Sequence, residues 1–257
     1  MNATVHRLPR TAARGSVVDS EPPPSQRVAL VSGGNRGLGL EVVRQLAAQG
    51  ITVLLGSRSL LAGEKVARQL RHEGNDVVAV KLDVTDDDDV ISLASRIDRE
   101  YHRLDILVNN AGAFFDVEKR ASNADLGTVR RALDVNLLGA WRLTEALLPL
   151  MQRHNYGRIV NVSSSCGTID NESDTCPAYR VSKTALNGYT RMLAAELKGS
   201  GVLVNAVCPG WVATDMGGSG GRPVKDGAEG IVWAACLPAQ NAHMNGRFFR
   251  DKRQIAW

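Results

Sequence analysis

The feature that most constrains the fold of this chain is a series of seven short apolar runs, separated by longer segments of helical periodicity. The runs are residues 28–31, 52–55, 77–80, 106–108, 158–162, 202–207 and 247–249. Strands that are apolar on both sides are typical of a parallel sheet covered by helices on both faces. Their alternation with helical segments indicates βαβ units with right-handed crossovers. We therefore predict an α/β fold with a doubly wound, seven-stranded parallel sheet.

Composition excludes several classes of protein. The 257 residues are 44% hydrophobic, which is too apolar for a disordered chain, and the formal charge is +4. The sequence contains no run of about 18 apolar residues, so we predict no membrane-spanning helix. The four cysteines show no CxxC spacing, so we predict neither a disulfide scaffold nor a metal site. The sequence has no stripe of basic residues interleaved with aromatic ones, so we expect no nucleic-acid binding. From the composition as a whole we expect a cytoplasmic protein.

The first 26 residues differ from the rest of the chain. Three arginines precede the first acidic residue, Asp19, and prolines occupy positions 22–24. An Arg-rich, acid-poor start resembles a transit peptide, whereas the simpler interpretation is a flexible arm or a start assigned too early. We favour the arm, over residues 1–26, followed by one Rossmann-fold domain over residues 27–257.

A glycine-rich turn, SGGNRGLG at residues 32–39, joins the first predicted strand directly to a helix. Its glycines let a pyrophosphate approach the N–H groups at the helix N-terminus, where the helix dipole favours negative charge. The spacing is G-x-x-x-G-x-G rather than G-x-G-x-x-G, and we assign Gly34 only a role in turn flexibility. The position after the first strand predicts a dinucleotide site.

The end of the second strand bears on which dinucleotide binds. An acidic residue there would bind the ribose 2′-hydroxyl of NAD, but the sequence reads Gly56-Ser57-Arg58. Arg58 stands at that position and Arg36 lies within the glycine turn. A guanidinium binds phosphate through a bidentate fork, although two solvated surface arginines are the alternative. We predict NADP(H) in preference to NAD(H).

Tyr179 and Lys183 are spaced i, i+4 in a segment of helical periodicity, so they share one helix face. A free phenol has a pKa of about 10, and a nearby ammonium favours the phenolate, so the pair can exchange a proton with an alcohol oxygen. Polar or glycine-rich segments also follow three strands, at residues 109–112, 163–165 and 208–210. Ligands bind open parallel sheets at these carboxyl ends.

Together these motifs resemble the short-chain dehydrogenase/reductase family over essentially all of residues 27–257. Residues 32–40, 209–216 and 246–257 most resemble its carbonyl-reductase branch.

The resemblance implies a role for each matching residue. Tyr179 would protonate the carbonyl oxygen, Lys183 would lower its pKa and bind the nicotinamide ribose, and Ser164 would orient the substrate, with either neighbouring serine as an alternative. Asn136 would hold a water of a proton relay, or it is a satisfied core amide. Asp83 and Val84 would contact adenine, or Asp83 only starts a loop. The implied cofactor contacts are Gly33, Asn35, Arg36, Gly37, Leu38, Gly39, Ser57, Arg58, Asp83, Val84, Asn110, Ala111, Gly112, Tyr179, Lys183, Pro209, Gly210, Val212 and Thr214.

Two departures from the family pattern bear on assembly and on the pocket. The serine and the tyrosine lie close in sequence, without the branch's long insertion, so we expect a homodimer or homotetramer through helices near 124–153 and 176–197. Residues 217–221, GGSGG, replace a larger lid and predict an open, tolerant pocket. Candidate walls, each of which could be ordinary packing, are Phe114, Phe115, Trp211 and Met216; Cys166 and Cys176 receive no role.

The sequence therefore predicts an NADP(H)-dependent oxidoreductase that converts a small ketone or aldehyde to an alcohol, or the reverse. The alternative is a catalytically silent NADP-binding sensor on the same fold. A sensor needs no proton relay, so the intact tyrosine, lysine, serine and asparagine favour the enzyme.

Overall fold

The structure, a computed structural model, describes residues 21–170 and 172–257. Its strands are β1 (Val28–Val31), β2 (Thr52–Ser57), β3 (Val77–Lys81), β4 (Ile106–Asn109), β5 (Gly157–Val162), β6 (Val202–Val207), β7 (Phe248–Arg250) and β8 (Arg253–Ile255). Its α-helices are α1 (Gly37–Ala47), α2 (Leu60–His72), α3 (Asp87–Tyr101), α4 (Leu126–Leu133), α5 (Gly139–Arg153), α6 (Pro177–Glu196) and α7 (Val224–Ala235).

The eight strands form one sheet in the order β3-β2-β1-β4-β5-β6-β7-β8. Strands β1 to β7 are parallel, which confirms the predicted α/β fold, and β8 pairs antiparallel with β7. The sequence analysis missed β8 because Arg253 and Gln254 are exposed and form no apolar run. Successive strands are added on one side of β1 up to β3 and on the other side from β4 onward, and an open parallel sheet binds ligands at such a switch between β1 and β4.

Helices cover both faces of the sheet, as the apolar strands require. Consecutive residues of β1 point to opposite layers, because side chains alternate along a strand. Leu30 packs in the layer that contains Leu143 of α5, whereas Val31 packs in the layer that contains Leu46 of α1 and Ile231 of α7. All five side chains are fully buried, so both layers are closed to water.

The helix predicted near residues 124–153 is interrupted, so that prediction is corrected. Helices α4 and α5 flank a π-helical turn, Asp134–Leu138. The apolar spacing gave no sign of the turn because buried residues continue on both sides of it. Gly139 begins α5 against the loop after β3, where an added Cβ would lie 2.6 Å from Val84 Cγ2.

Part of the predicted N-terminal arm packs on the domain. The Glu21 carboxylate accepts hydrogen bonds from Arg27 Nη2 at 2.9 Å, from the Tyr156 hydroxyl at 3.2 Å and from the Ala239 N–H at 3.0 Å. The packed chain thus begins before the predicted boundary at Arg27. Residues 1–20, and with them the choice between arm and transit peptide, lie outside the described residues.

Among residues 21–170 and 172–257, none of the helices combines the length and apolar character needed to cross a bilayer. Within the same ranges, no cluster of three or more His, Cys, Asp or Glu side chains is placed to hold a metal ion.

Candidate active site

The predicted tyrosine and lysine lie one turn apart on α6. Pro177 occupies the first turn of this helix, where its missing N–H costs nothing. Lys183 Nζ lies 5.7 Å from the centroid of the Tyr179 ring and donates to the Val162 carbonyl, at the end of β5, at 2.8 Å. Gly167 lets the loop after β5 approach the helix, since an added Cβ would lie 2.7 Å from the backbone carbon of Lys183.

Burial shifts the pKa of both groups. It raises the pKa of the Tyr179 phenol, and a hydrogen bond with the Ser164 hydroxyl opposes this shift only in part. It lowers the pKa of Lys183 to about 8. Desolvation is the largest influence on the phenol pKa in this arrangement, and the expected lowering by the ammonium stays a prediction. A phenol that stays protonated at neutral pH is a proton donor.

The three serines after β5 have different environments. The Ser163 hydroxyl donates to Asn187 Oδ1 at 2.6 Å inside the core, and the Ser165 N–H donates to Cys208 Sγ at 3.2 Å. Ser164 hydrogen-bonds Tyr179, and its hydroxyl also accepts from the Cys166 N–H at 3.1 Å. The structure therefore brings the predicted serine, and not its buried neighbour Ser163, to the phenol.

Asn136 lies in the π-helical turn and is buried beside the lysine. Its Oδ1 accepts from the Ala113 N–H at 2.7 Å, and its Nδ2 donates to the Ala113 carbonyl and the Ser182 hydroxyl, both at 2.9 Å. An added Cβ on Gly112 would lie 3.4 Å from Asn136 Oδ1 and 3.7 Å from Lys183 Nζ. Both amide hydrogens are used, as in a satisfied core amide, and the water-holding role stays a prediction.

Hydrogen bonds from the segment after β4 stabilise the glycine turn after β1. Asn110 Nδ2 donates to the Ser32 carbonyl at 2.8 Å, so this residue supports the turn, and its contact with a cofactor stays a prediction. An added Cβ on Gly39 would lie 2.3 Å from the Gly33 carbonyl oxygen and 2.4 Å from Asn110 Nδ2. Gly33 and Gly37 have φ angles of 64° and 53°, which favour glycine.

The sequence analysis missed two features of this turn. The Ser32 hydroxyl accepts from the N–H groups of Asn110 at 3.0 Å and Ala111 at 2.9 Å. The only indication of this contact in the sequence was that a polar residue follows a buried strand. Gly34, which the sequence analysis assigned only to turn flexibility, is also closely packed. An added Cβ there would lie 3.0 Å from Val43 Cγ2 and 3.1 Å from Leu55 Cγ, so a side chain would require these neighbours to shift.

The two arginines predicted to bind phosphate are exposed. Arg36 forms an ion pair with Asp215, and both side chains are largely in solvent. Arg58 follows β2, and within the described ranges it has no hydrogen bond or ion pair. Ser57 is buried, and its hydroxyl donates to the Ser59 carbonyl at 2.9 Å. Both guanidinium groups are thus accessible beside the glycine turn and the end of β2.

After β3, Asp83 acts as a turn former: its Oδ1 accepts from the N–H of Thr85 at 3.0 Å and from its hydroxyl at 2.8 Å. The acidic run that follows caps α3 through Asp86, whose Oδ1 accepts from the N–H groups of Asp88 and Asp89. The adenine contact of Asp83 and Val84 stays a prediction. The other predicted contacts lie at the same edge of the sheet, in or after the glycine turn (Asn35, Leu38), after β4 (Ala111, Gly112), and after β6 (Pro209, Gly210, Val212).

The glycine-rich segment after β6 is folded back on itself. Trp211 Nε1 donates to the Gly217 carbonyl at 2.6 Å, and an added Cβ on Gly217 would lie 2.1 Å from the Val212 carbonyl oxygen. Thr214 faces the glycine turn, with its Cγ2 3.4 Å from a Cβ added to Gly37. Gly217 is therefore required by close packing, and the role of the segment as an open lid stays a prediction.

Of the four predicted pocket walls, one touches the tyrosine. The Phe114 ring lies 4.9 Å, centroid to centroid, from that of Tyr179. Phe115, Trp211 and Met216 are exposed.

The chain is similar to known proteins over most of its length. A family model described as short chain dehydrogenase matches residues 27–223. The chain is 34% identical to (+)-neomenthol dehydrogenase of Arabidopsis thaliana, over 88% of this chain and 97% of that protein. It is 32% identical to carbonyl reductase [NADPH] 3 of Mus musculus, over 90% and 98%. The crystal structure of NADPH-bound carbonyl reductase from chicken fatty liver superposes with a TM-score of 0.78 at 26% identity, over 90% and 99%.

Proposed function

Because the chain belongs to the short-chain dehydrogenase family and is an oxidoreductase of that family, we propose that it reduces a ketone or aldehyde to an alcohol, or catalyses the reverse, with NADP(H). The resemblance to this family and to its carbonyl reductases, predicted from the sequence, is confirmed. The observation that carries the proposal is the half-buried Tyr179 phenol, which lies beside Ser164 and is backed by Lys183.

In the proposed reaction, Ser164 and Tyr179 act on one substrate oxygen. The Ser164 hydroxyl opposes the rise in the Tyr179 pKa, which places it beside the phenol, and a carbonyl oxygen bound next to both groups would accept a hydrogen bond from each. Ser164 orients the carbonyl, and Tyr179 donates its proton as that oxygen gains negative charge. Since the pKa of the phenol lies above neutrality, Tyr179 carries the proton that it would donate at neutral pH.

Lys183 is suited to hold and release the next proton. Its pKa of about 8 lies near neutrality, where a group exchanges protons most effectively. Its Nζ also lies beside Gly112, after β4, where it would bind the ribose of a nicotinamide nucleotide.

The residues at the glycine turn fit a phosphorylated dinucleotide. The turn presents the N-terminus of α1, and two exposed guanidinium groups, Arg36 and Arg58, would supply the cations that a 2′-phosphate needs. NADPH in the names of similar reductases supports the same choice. When bound, the nicotinamide supplies or accepts the hydride.

We also propose that the chain forms a homodimer or homotetramer. Apolar side chains are exposed along the interrupted helix and α6: Leu138, Trp141, Val181 and Met192. Burial of such residues against a second copy is the usual solution for a symmetric assembly.

The experiment that tests the function is nucleotide oxidation, with NADPH beside NADH, across aryl ketones, aliphatic aldehydes, diketones and quinones. We expect turnover with NADPH. Tyr179→Phe should abolish turnover and keep NADPH affinity, whereas Tyr101→Phe, a matched control on α3, should behave as wild type. Tight NADPH binding with no turnover by the wild type would favour the sensor, and turnover by Tyr179→Phe would contradict the mechanism.

A further inference from the structure

The loop after β4 is fastened to the start of α6 at several points. The Cys176 N–H donates to the Lys119 carbonyl at 3.0 Å, and the Cys176 thiol donates to the Val117 carbonyl at 3.3 Å. The Phe114 ring packs on Tyr179, and Ala113 is held by Asn136. The loop therefore contacts both Asn136, which lies beside Lys183, and the start of α6, which carries Tyr179.

Asp116 makes the most direct of these connections. It is only 4% exposed, and its Oδ2 accepts from the Ala178 N–H at 2.6 Å while its Oδ1 accepts from the Tyr179 N–H at 3.4 Å. The first N–H groups of a helix have no partner within it, and the residue before α6, Cys176, provides no side-chain cap. Asp116, distant in sequence, supplies the cap.

The carboxylate of Asp116 is held by the helix itself. Within the described part of the chain, no lysine or arginine forms an ion pair with it. Its negative charge is instead placed at the positive end of the α6 dipole. Because one of the two capped N–H groups belongs to Tyr179, the bond fixes the backbone from which the phenol extends.

We propose that Asp116 is a positioning residue for Tyr179, which holds the phenol in place between Ser164 and the nicotinamide side of the cleft. This inference rests on the proposed function. A displacement of about 1 Å can cost two orders of magnitude in rate, so loss of the cap should lower kcat more than it weakens binding.

The test compares Asp116→Ala and Asp116→Asn with Asp125→Ala. Asp125 is a matched control, because it caps α4 through the Thr128 N–H at 2.7 Å and the Gly127 N–H at 3.3 Å on an exposed surface. Asp116→Ala should lower kcat at least tenfold, with KM and the NADPH Kd within threefold. Asp116→Asn keeps an acceptor and should lose less, and the control should stay within twofold of wild type. An Asp116→Ala kcat within twofold of the control overturns the proposal.

A second readout does not depend on turnover. The chain has four tyrosines, so ring-labelled tyrosine gives four resonances in ¹³C NMR, and Tyr179→Phe assigns one of them. In the ligand-free protein, Asp116→Ala should shift the Tyr179 resonance and its titration, and Asp125→Ala should shift neither. An unmoved resonance overturns the positioning role. If the wild type reduces no carbonyl, the proposed function fails while this readout still decides the role of Asp116. If Asp116→Ala does not fold, Asp116→Asn decides it: a smaller loss of kcat and a smaller shift of the Tyr179 resonance, both beyond those of Asp125→Ala, are expected, and values equal to those of Asp125→Ala overturn the proposal.

Discussion

Lys183 Nζ, fully buried, hydrogen-bonds the Val162 carbonyl at 2.8 Å and not the Tyr179 phenol, although the phenol ring centroid is only 5.7 Å away. No carboxylate among the described residues forms an ion pair with this ammonium. The charge is therefore held largely by one carbonyl dipole, and burial of an unpaired ammonium opposes folding.

This burial predicts a pH-dependent stability. The folded-state pKa of Lys183, about 8, lies below its usual value of 10.5, so between these values the unfolded chain binds more protons than the folded one. Stability relative to a chain without the lysine should then rise with pH across this window, by up to about 3 kcal/mol. Urea unfolding of wild type and Lys183→Met at pH 7 to 10 measures the difference. A difference that is flat or falls with pH would contradict the assigned burial.

Cofactor choice is tested at the two exposed arginines. Replacing Arg36 and Arg58 together by Gln should weaken NADPH binding by about 2–4 kcal/mol, because charge-assisted bonds to a phosphate are lost, and should leave NADH nearly unchanged. Fluorescence titration with both nucleotides measures this. The paired control, Arg68→Gln with Arg99→Gln, removes two exposed charges elsewhere. Equal losses for both nucleotides would exclude the assigned phosphate site.

Asp215 competes for one of these arginines. It pairs with Arg36 on an exposed surface, where such ion pairs are weak. Asp215→Asn frees the guanidinium and removes a negative charge, so we expect NADPH to bind about two- to fivefold more tightly, with NADH affected less. The same substitution in an Arg36→Gln background should have little effect. A comparable gain in both backgrounds would show that Arg36 is not involved.

Glu21 should stabilise the domain. It is the carboxylate that contacts Arg27 and Tyr156, and the ring of Tyr156 also lies 4.2 Å from the guanidinium carbon of buried Arg158. Glu21→Gln keeps the shape and removes the charge, so the free energy of unfolding should fall by about 1–3 kcal/mol. Urea unfolding at pH 7, with exposed Glu118→Gln as control, measures this. Equal stability of the two variants would mean that residues 21–26 add little to the fold.

The sequence was sufficient for those features that local chemistry determines. The parallel strands were predicted because their side chains are buried on both faces, and Tyr179 and Lys183 were paired because helical spacing alone puts them on one face. Strand β8 was missed because its side chains are exposed, and an exposed hairpin strand has no apolar signature.

Features that depend on contacts between distant segments could not be predicted. Asp116 caps α6 from 62 residues away, and Ser32 binds the segment after β4 from 78 residues away, so neither partner is visible in the local pattern. The spacing of Tyr179 and Lys183 likewise gave no information on depth, and the shifts in their pKa follow from depth.

The π-helical turn at Asp134–Leu138 fixes the rotational phase between two helices. Each residue of an α-helix advances it by about 100°, so deleting one residue here would let α4 and α5 fuse while turning one against the other by that angle. Either Leu143 and Leu147 would leave the core, or Asn136 would leave Ala113. The same extra residue therefore determines both which side chains of α5 face the apolar core and where Asn136 lies beside Lys183. A one-residue deletion here should therefore lower the stability of this protein more than most substitutions in either helix.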